Sequence, residues 1–335
     1  MESEFDLIAA LRERLPSGGD GVLVGSGDDA AVTEGGDTPT ATTVDAIVEG
    51  VHFTLPAFPP RAVGRKALAA SLSDLAAMAA QPGEAYVVLG IPEGTPDDLL
   101  LELADGLAEV AEREGVSVVG GDVTRSPALV VAITCVGREP PNGRLVTRSG
   151  AQVGDAVVVT GELGGAAAAL ELLASRDGTE VAAPDVTREA LLARQLDPRP
   201  RIAAGLALSA SGATAMIDVS DGVGADGRNL ARASGARVEI EAQLLPVARG
   251  LRELSHSEER ALATAISGGE DFELLATLPP ERLDEARAAV GHYGLTQIGR
   301  VVAPVEGHDA VSVLALDGRE LEPGGFDHMR GSRSG

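Results

Sequence analysis

The chain is short of several things. It has no tryptophan, two tyrosines and five phenylalanines among 335 residues, so aromatics make up only 2%. It has one lysine, Lys66, and one cysteine, Cys135. A lone cysteine excludes an intrachain disulfide and excludes zinc held by paired thiolates. No apolar run reaches the eighteen or so residues of a membrane span. Positive charge is scarce as well: the formal net charge is −24. A surface that negative repels nucleic acid and anionic membranes, so neither is an expected partner. The acidic start Met1-Glu2-Ser3-Glu4 carries no signal-peptide pattern, and a cytoplasmic location is expected. Arginine in place of lysine, with excess Asp and Glu, resembles the composition of salt-loving microbes. Most acids therefore read as solvating surface unless a motif says otherwise.

What remains supports large cores. Hydrophobic residues are 44% of the chain, mostly alanine and valine, and the length favours two domains over one. A helix is expected over Ser3–Leu15, then short strands near Val22–Val24, Ala30–Thr33 and Thr40–Val44. Pro59-Pro60 opens a long helix to about Ala80, as proline does at a first helical turn. Ala85–Gly90, Pro96–Glu114, Ser117–Val119 and Leu129–Val136 read as strand, helix, strand, strand. Gly120–Ser126 reads as a glycine-rich loop. After a boundary near Val146–Gly150, the second half runs as strand Ala156–Thr160, an alanine-rich helix, helices at Thr187–Gln195 and Ile202–Ser209, and strand Thr214–Ile217. A helix to about Ser234, strand Arg237–Ile240, a helix at 280–290 and strands near 295–302 and 310–316 follow. Strands and helices mix without strict alternation, which favours two α+β lobes. The expected division is 1–147 and 148–328, with 329–335 a disordered tail.

The chemistry sits in acidic motifs. Gly25-Ser26-Gly27-Asp28-Asp29 precedes an apolar run, placing a carboxylate at a strand edge, half withdrawn from water. Such an acid needs a cation, a proton or donors. Asp45 ends a strand, Asp74 lies inside a helix among small and apolar neighbours, and Asp122 follows Gly120-Gly121. Asp218 and Asp221 flank Ser220, where a plain N-cap accounts for one acid but not for both. Glu270 and Asp271 follow Gly268-Gly269. Arg148 can pair with a phosphate, and Gly161–Gly165 before a helix is a candidate phosphate cradle. His52 is the only histidine in a glycine-bounded apolar motif; its bland reading is a packed, hydrogen-bonded ring. There is no Walker loop, no G-x-S-x-G elbow and no zinc spacing. Carboxylates at element ends suit hard cations such as Mg²⁺. The residues alone thus point to metal-assisted phosphoryl transfer, with metal-assisted hydrolysis close behind.

Taken in order, the segments Gly27–Val32, Thr43–Phe53, Lys66–Ala80, Gly120–Ser126, Thr147–Gly150, Ala215–Asp226 and Ser267–Leu275 resemble the thiamine-monophosphate kinase family of the aminoimidazole-ribotide-synthetase-like superfamily. The resemblance implies a two-lobed α+β (mixed α/β) fold: an N-terminal lobe that pairs in a homodimer and a C-terminal α/β sandwich lobe. It implies ATP-dependent phosphorylation of thiamine monophosphate with several Mg²⁺ ions. It further implies metal ligands at Asp29, Thr43, Val44 (through its carbonyl), Asp45, Asp74, Asp122, Asp218 and Asp221. ATP contacts fall at Gly121, Asp122, Arg148 and Ser220, and substrate contacts at His52 and Glu270, with catalysis carried by Asp74, Asp122, Asp218 and Arg148. Where the family has an aromatic over the substrate, this chain has Pro323, with Phe326 nearby as the expected substitute. Two rivals stand beside this reading. One is another ATP-using member of the superfamily, such as aminoimidazole-ribotide synthetase. The other is a non-catalytic nucleotide or thiamine-phosphate binding protein.

Overall fold

A computed structural model describes residues 22–24, 31–35, 38–174 and 185–325. The expected helix over Ser3–Leu15, Asp28, Asp29, Phe326 and the tail lie outside the described residues.

The first lobe is a six-stranded sheet. Its strands are β1 (Val22–Val24), β2 (Ala31–Gly35), β3 (Thr38–Val48), β4 (Gln81–Ile91), β5 (Ser117–Arg125) and β6 (Val130–Arg138), in the order β1-β2-β3-β6-β4-β5. All neighbours are antiparallel except β4 and β5, which run parallel across the helix α2 (Asp97–Glu114). The second lobe is a seven-stranded sheet, in the order β13-β12-β9-β11-β7-β10-β8. It contains β7 (Ala156–Thr160), β8 (Ala215–Asp218), β9 (Arg237–Glu241), β10 (Leu274–Leu278), β11 (Leu295–Val302), β12 (Val311–Leu314) and β13 (Glu320–Leu321). The α+β class read from the sequence holds.

Helix α1 (Pro60–Ala77) joins the lobes. Twelve of its 18 residues are Ala, Ser, Gly or Leu, and 14 of the 18 are buried, as suits a helix packed on most of its sides. It packs against β3 and β6 of the first sheet, against β8 of the second, and against helices α2 and α5 (Ile202–Ala210). Glycines set these distances. A Cβ at Gly64 would lie 2.0 Å from the Leu103 carbonyl oxygen, and one at Gly205 would lie 2.1 Å from that of Ala76. One apolar cluster runs from the first sheet through α1 into the second lobe, reaching Leu208, Met216, Leu274 and Leu278. A second fills the far side of the C-terminal sheet with Val157, Val159, Leu230, Ile240 and Leu275. Alternate residues of β7 and β10 therefore feed opposite cores, which is why both strands read as unbroken apolar runs.

Two expectations change. Gly120–Ser126 is not a loop: most of it is strand, part of β5. The β-branched residues Val118, Val119, Val123 and Thr124 favour extension. Gly121 allows contact with β4, since a Cβ there would lie 1.8 Å from the Val87 carbonyl oxygen. Strand β3 runs to Val48 instead of stopping at Val44, because pairing with β6 carries it through Asp45. Two helices between Ile240 and Ser267, α7 (Leu251–Ser255) and α8 (Glu258–Ser267), were not legible beforehand; Ser257 caps the second by accepting from Arg260 N–H. The remaining helices are α3 (Gly165–Ala174), α4 (Asp185–Leu196), α6 (Val223–Ser234) and α9 (Leu283–Val290).

Candidate active site

A cavity of about 580 Å³ opens where the lobes meet. Strand β3 contributes Val44 and Asp45. The turn after β3 brings Val51 and His52. Helix α1 presents Lys66, Ala70 and Asp74, spaced i, i+4, i+8 and so on one face. The end of β8 supplies Asp218, followed by Ser220 and Asp221, and the glycine segment supplies Ser267 to Glu270.

Local structure fixes each acid. The Thr43 hydroxyl donates to Asp74. The Ser73 hydroxyl donates to Asp218 Oδ2 at 2.7 Å, and Ala46 N–H donates to Asp45 Oδ1 at 2.8 Å. Behind the Asp218–Asp221 turn, Asp226 of α6 accepts from the backbone N–H groups of Ser220, at 3.1 Å, and Asp221, at 3.0 Å. Burial pushes the Asp226 carboxyl well above the usual range. The neighbouring charges of Asp221 and Asp218 push it the same way; the Asp221 N–H and Arg148 pull it back. Cys135 of β6, paired in register with Thr43 of β3, is held as a thiol: burial, then Asp74 and Asp45, push it up to about 12.

The two glycine segments lock together. A Cβ at Gly269 would lie 2.4 Å from the Ser220 carbonyl oxygen, and Gly222, at φ +107°, abuts Ser267. Glu270 N–H donates to the Ser220 carbonyl at 2.8 Å, and Glu270 itself sits at φ +65°, a strained value for a residue with a Cβ. Its carboxylate is 2.7 Å from the ammonium of Lys66. The same ammonium donates to the His52 carbonyl and to Gln195 Oε1. Val48 N–H donates to His52 Nδ1 at 3.0 Å, leaving the ring proton on Nε2. Asp271 turns the other way, into the start of α3, where the N–H groups of Gly164 and Ala166 donate to it.

Of the residues singled out in the sequence, Val44, Asp45, His52, Asp74, Asp218, Ser220, Asp221 and Glu270 line this one cavity. Thr43 is buried behind Asp74. Arg148 lies close enough to act on Asp226. Gly121 and Asp122 are not in the cavity lining. Asp122, Val88, Ala132 and Ala46 form one row across β5, β4, β6 and β3. Three strand spacings, about 14 Å, thus separate Asp122 from β3, and its side chain takes the face opposite Asp45. Pro323 lies against Gly224, while Gly325 reaches the cavity. Sequence reasoning passed over Lys66, Gln195, Ser73 and Asp226 as site residues. The helical spacing from Lys66 to Asp74 was the signal available for the first.

Among the described residues no group of three or more His, Cys, Asp or Glu is close enough to hold a metal unaided. The donor set nevertheless fits a hard cation: carboxylates from separate segments face one cavity, and Mg²⁺ needs only one or two of them when water and phosphate oxygens complete its shell.

Two family models match the chain: AIR synthase related protein, N-terminal domain, over residues 27–138, and AIR synthase related protein, C-terminal domain, over residues 152–310. The chain is similar to the thiamine-monophosphate kinase of Escherichia coli strain K12, at 40% identity over 97% of this chain and 98% of that one. It is similar to the thiamine-monophosphate kinase of Halobacterium salinarum at 38% identity, covering 92% and 96%. Among solved structures it resembles AaThiL complexed with AMPPCP and TMP, with a TM-score of 0.84, 33% identity and 97% of each chain covered.

Proposed function

The chain belongs to the thiamine-monophosphate kinase family, and from that premise we propose how it phosphorylates thiamine monophosphate with ATP: by direct in-line transfer at the cavity between the lobes. The observation that carries the proposal is the convergence of Asp45, Asp74, Asp218 and Asp221, from sequence-distant segments, on one cavity with Ser220, His52 and Glu270.

The acceptor is a phosphate oxygen. The second pKa of a phosphate monoester is about 6, so it is already largely ionised at neutral pH. A strong general base is not needed. The acceptor oxygen bonds to the γ-phosphorus as the bond to the β-phosphate oxygen breaks, and ADP leaves. The obstacle is repulsion between two anionic phosphates. Arg148 neutralises part of that charge, Ser220 holds phosphate oxygens, and His52 and Glu270 seat the thiamine end. Several Mg²⁺ ions, held by Asp29, Thr43, the Val44 carbonyl, Asp45, Asp74, Asp122, Asp218 and Asp221, would supply the remaining neutralisation when bound. Pro323 and Phe326 are proposed near the thiamine rings. A cytoplasmic location belongs to the same reading.

Gly121 and Asp122 enter through a partner. Strand β5 is an exposed edge, with Val119 57% and Val123 66% exposed, and the open sheet face beside it carries Tyr86 and Val88. An apolar edge and face of this kind invite pairing. We assign them to a second copy of the chain in a homodimer, because they carry site residues that the chain's own cavity leaves out. In that dimer Gly121 and Asp122 reach ATP in the partner's site.

A Mg²⁺-dependent ATP-consumption assay tests the reaction. Turnover is expected with thiamine monophosphate and not with the ribotide substrate of aminoimidazole-ribotide synthetase. Nucleotide binding without turnover contradicts the proposal, and a trapped phosphoenzyme contradicts direct transfer. Mixing inactive Asp74→Asn and Asp122→Asn subunits tests the dimer. If Asp122 acts across the interface, a two-fold dimer recovers about a quarter of wild-type activity; if it acts within its own chain, nothing is recovered.

A further inference from the structure

The one lysine of this chain is among its most deeply buried large side chains. Lys66 is 1% exposed, and each ammonium hydrogen has its own acceptor. These are the His52 carbonyl at 3.1 Å, Gln195 Oε1 at 2.8 Å and the Glu270 carboxylate, with Oε2 at 2.9 Å and Oε1 at 2.7 Å. The ring of Phe58 lies beneath, 5.2 Å from the nitrogen to its centre. Gln195, also 1% exposed, closes a triangle: its Nε2 gives one hydrogen to Glu270 Oε2 at 2.8 Å and the other to the Ala166 carbonyl at 3.2 Å. Turning that amide over would set its NH₂ against the ammonium, so one orientation is enforced. Every polar atom of the two buried side chains is used. Glu270 alone has an open side, with 25% of its side chain exposed at the cavity.

The seat is specific for an ammonium. Three acceptors around one point suit a compact –NH₃⁺; a planar guanidinium presents five donors in a fork and is larger. The composition agrees: of 27 Lys and Arg residues, 26 are arginine, and the exception is this one. A neutral side chain would leave the half-buried Glu270 carboxylate with the Gln195 amide as its remaining side-chain donor among the described residues. The backbone of Glu270 is pinned by Ser220 in the C-terminal lobe, whereas its carboxylate is gripped from α1 and α4. The Lys66 bond to the His52 carbonyl ties the second substrate-facing residue to the same point.

We propose that Lys66, with Gln195, is a positioning residue that holds the Glu270 carboxylate aimed into the cavity, and that the Lys66–Gln195–Glu270 triad sets affinity for the thiamine end of the substrate and not the rate of phosphoryl transfer. The proposal rests on the reading that Glu270 meets thiamine monophosphate. A fixed carboxylate only accepts hydrogen bonds and favours positive charge. Its match is a ligand with an amino donor and a cationic ring, and thiamine has both in its aminopyrimidine and thiazolium.

The test is steady-state kinetics on Lys66→Met, Glu270→Gln, their double variant and Lys66→Arg. Lys66→Met raises KM for thiamine monophosphate about tenfold or more, with KM for ATP and kcat within about threefold of wild type. In the Glu270→Gln background the same change moves that KM less than about twofold, because the positioned group is gone. Lys66→Arg does not restore it. Lys66→Met that depresses kcat and raises both KM values alike overturns the proposal, as does an effect that persists in full in the Glu270→Gln background. If Lys66→Met does not fold, the double variant decides, since it removes both charges. Folding with the KM of Glu270→Gln supports the proposal, and failure to fold overturns it. A raised KM in Glu270→Gln beside an unchanged one in Lys66→Met overturns the positioning role alone. An unchanged KM in Glu270→Gln overturns the reading beneath it, and the proposal with it.

Discussion

The cavity of about 580 Å³ lined by Asp45, Asp74, Asp218 and Asp221 has a counterpart in a second recess of about 910 Å³, lined by Arg113, Arg194, Arg199, Arg201, His292 and Tyr293. Both hollows are full of charge, but the charges are disposed differently. In the recess every arginine has a carboxylate. Arg113 and Arg199 share Asp197, and Arg194 meets Glu162. Arg194 and Arg201 converge on Glu273, which is fully buried and also accepts from the Thr160 hydroxyl at 2.7 Å. In the cavity, acids gather: behind its lining, burial first, then the charges of Asp221 and Asp218, push the Asp226 carboxyl upward. In the recess the charges close in pairs against one another; in the cavity, carboxylates from separate segments are gathered around space that a ligand can enter. Four consecutive residues connect the two: Glu270 faces the cavity, Asp271 caps α3, and Glu273 anchors the recess.

If this contrast is right, substitutions in the two hollows should fail in different assays. The largest effect is expected from Asp74→Asn. Turnover should fall about a thousandfold or more, roughly 4 kcal/mol on the barrier, with the melting temperature little changed. Wild-type-like kcat in that variant would take Asp74 out of the site. Glu273→Gln should do the reverse, lowering unfolding free energy in urea by about 3 kcal/mol by leaving two arginines facing a neutral group, while KM values hold. Lost substrate affinity with unchanged stability would blur the distinction between the hollows.

Asp271 sharpens the comparison through pH. Burial pushes its carboxyl up to about 7, although the N–H groups of Ala166 and Gly164 pull against that. Its unfolded-state value is near the ordinary 3.8. Between those values the folded chain holds a proton that the unfolded chain has lost. This contribution is therefore full below about pH 4 and declines as pH rises through 7, by roughly 1 kcal/mol per unit. Chemical denaturation across pH 4–8 should show wild type losing stability relative to Asp271→Asn as pH rises. A gap that is constant or widens in the wild type's favour would refute the assignment. The smallest effect is expected from Arg199→Ala, at most about 0.5 kcal/mol, because that side chain is 52% exposed.

The sequence carried the acids better than it carried what holds them. Asp45, Asp74, Asp218 and Asp221 stood out because each interrupts a small or apolar stretch, and the fold buries such stretches. Asp122 stood out equally, yet its position apart from the others depends on sheet order, which no local pattern encodes. Strand β5 was misread because glycine and turn propensity outweighed the β-branched residues around them, and the pairing with β4 reversed that balance. Lys66 was hidden for another reason. The i, i+8 spacing from Lys66 to Asp74 was its one local signal, and its three acceptors come from segments up to 204 residues away.

Cys135 has a practical consequence. A chain whose only native thiol is packed at 0% exposure and cannot ionise near neutral pH gives almost no background with maleimide reagents. Cysteines introduced on opposite rims of the interlobe opening could take a fluorophore pair without first stripping the protein of its own sulfur. Energy transfer between them would then report any change in the width of that opening during turnover.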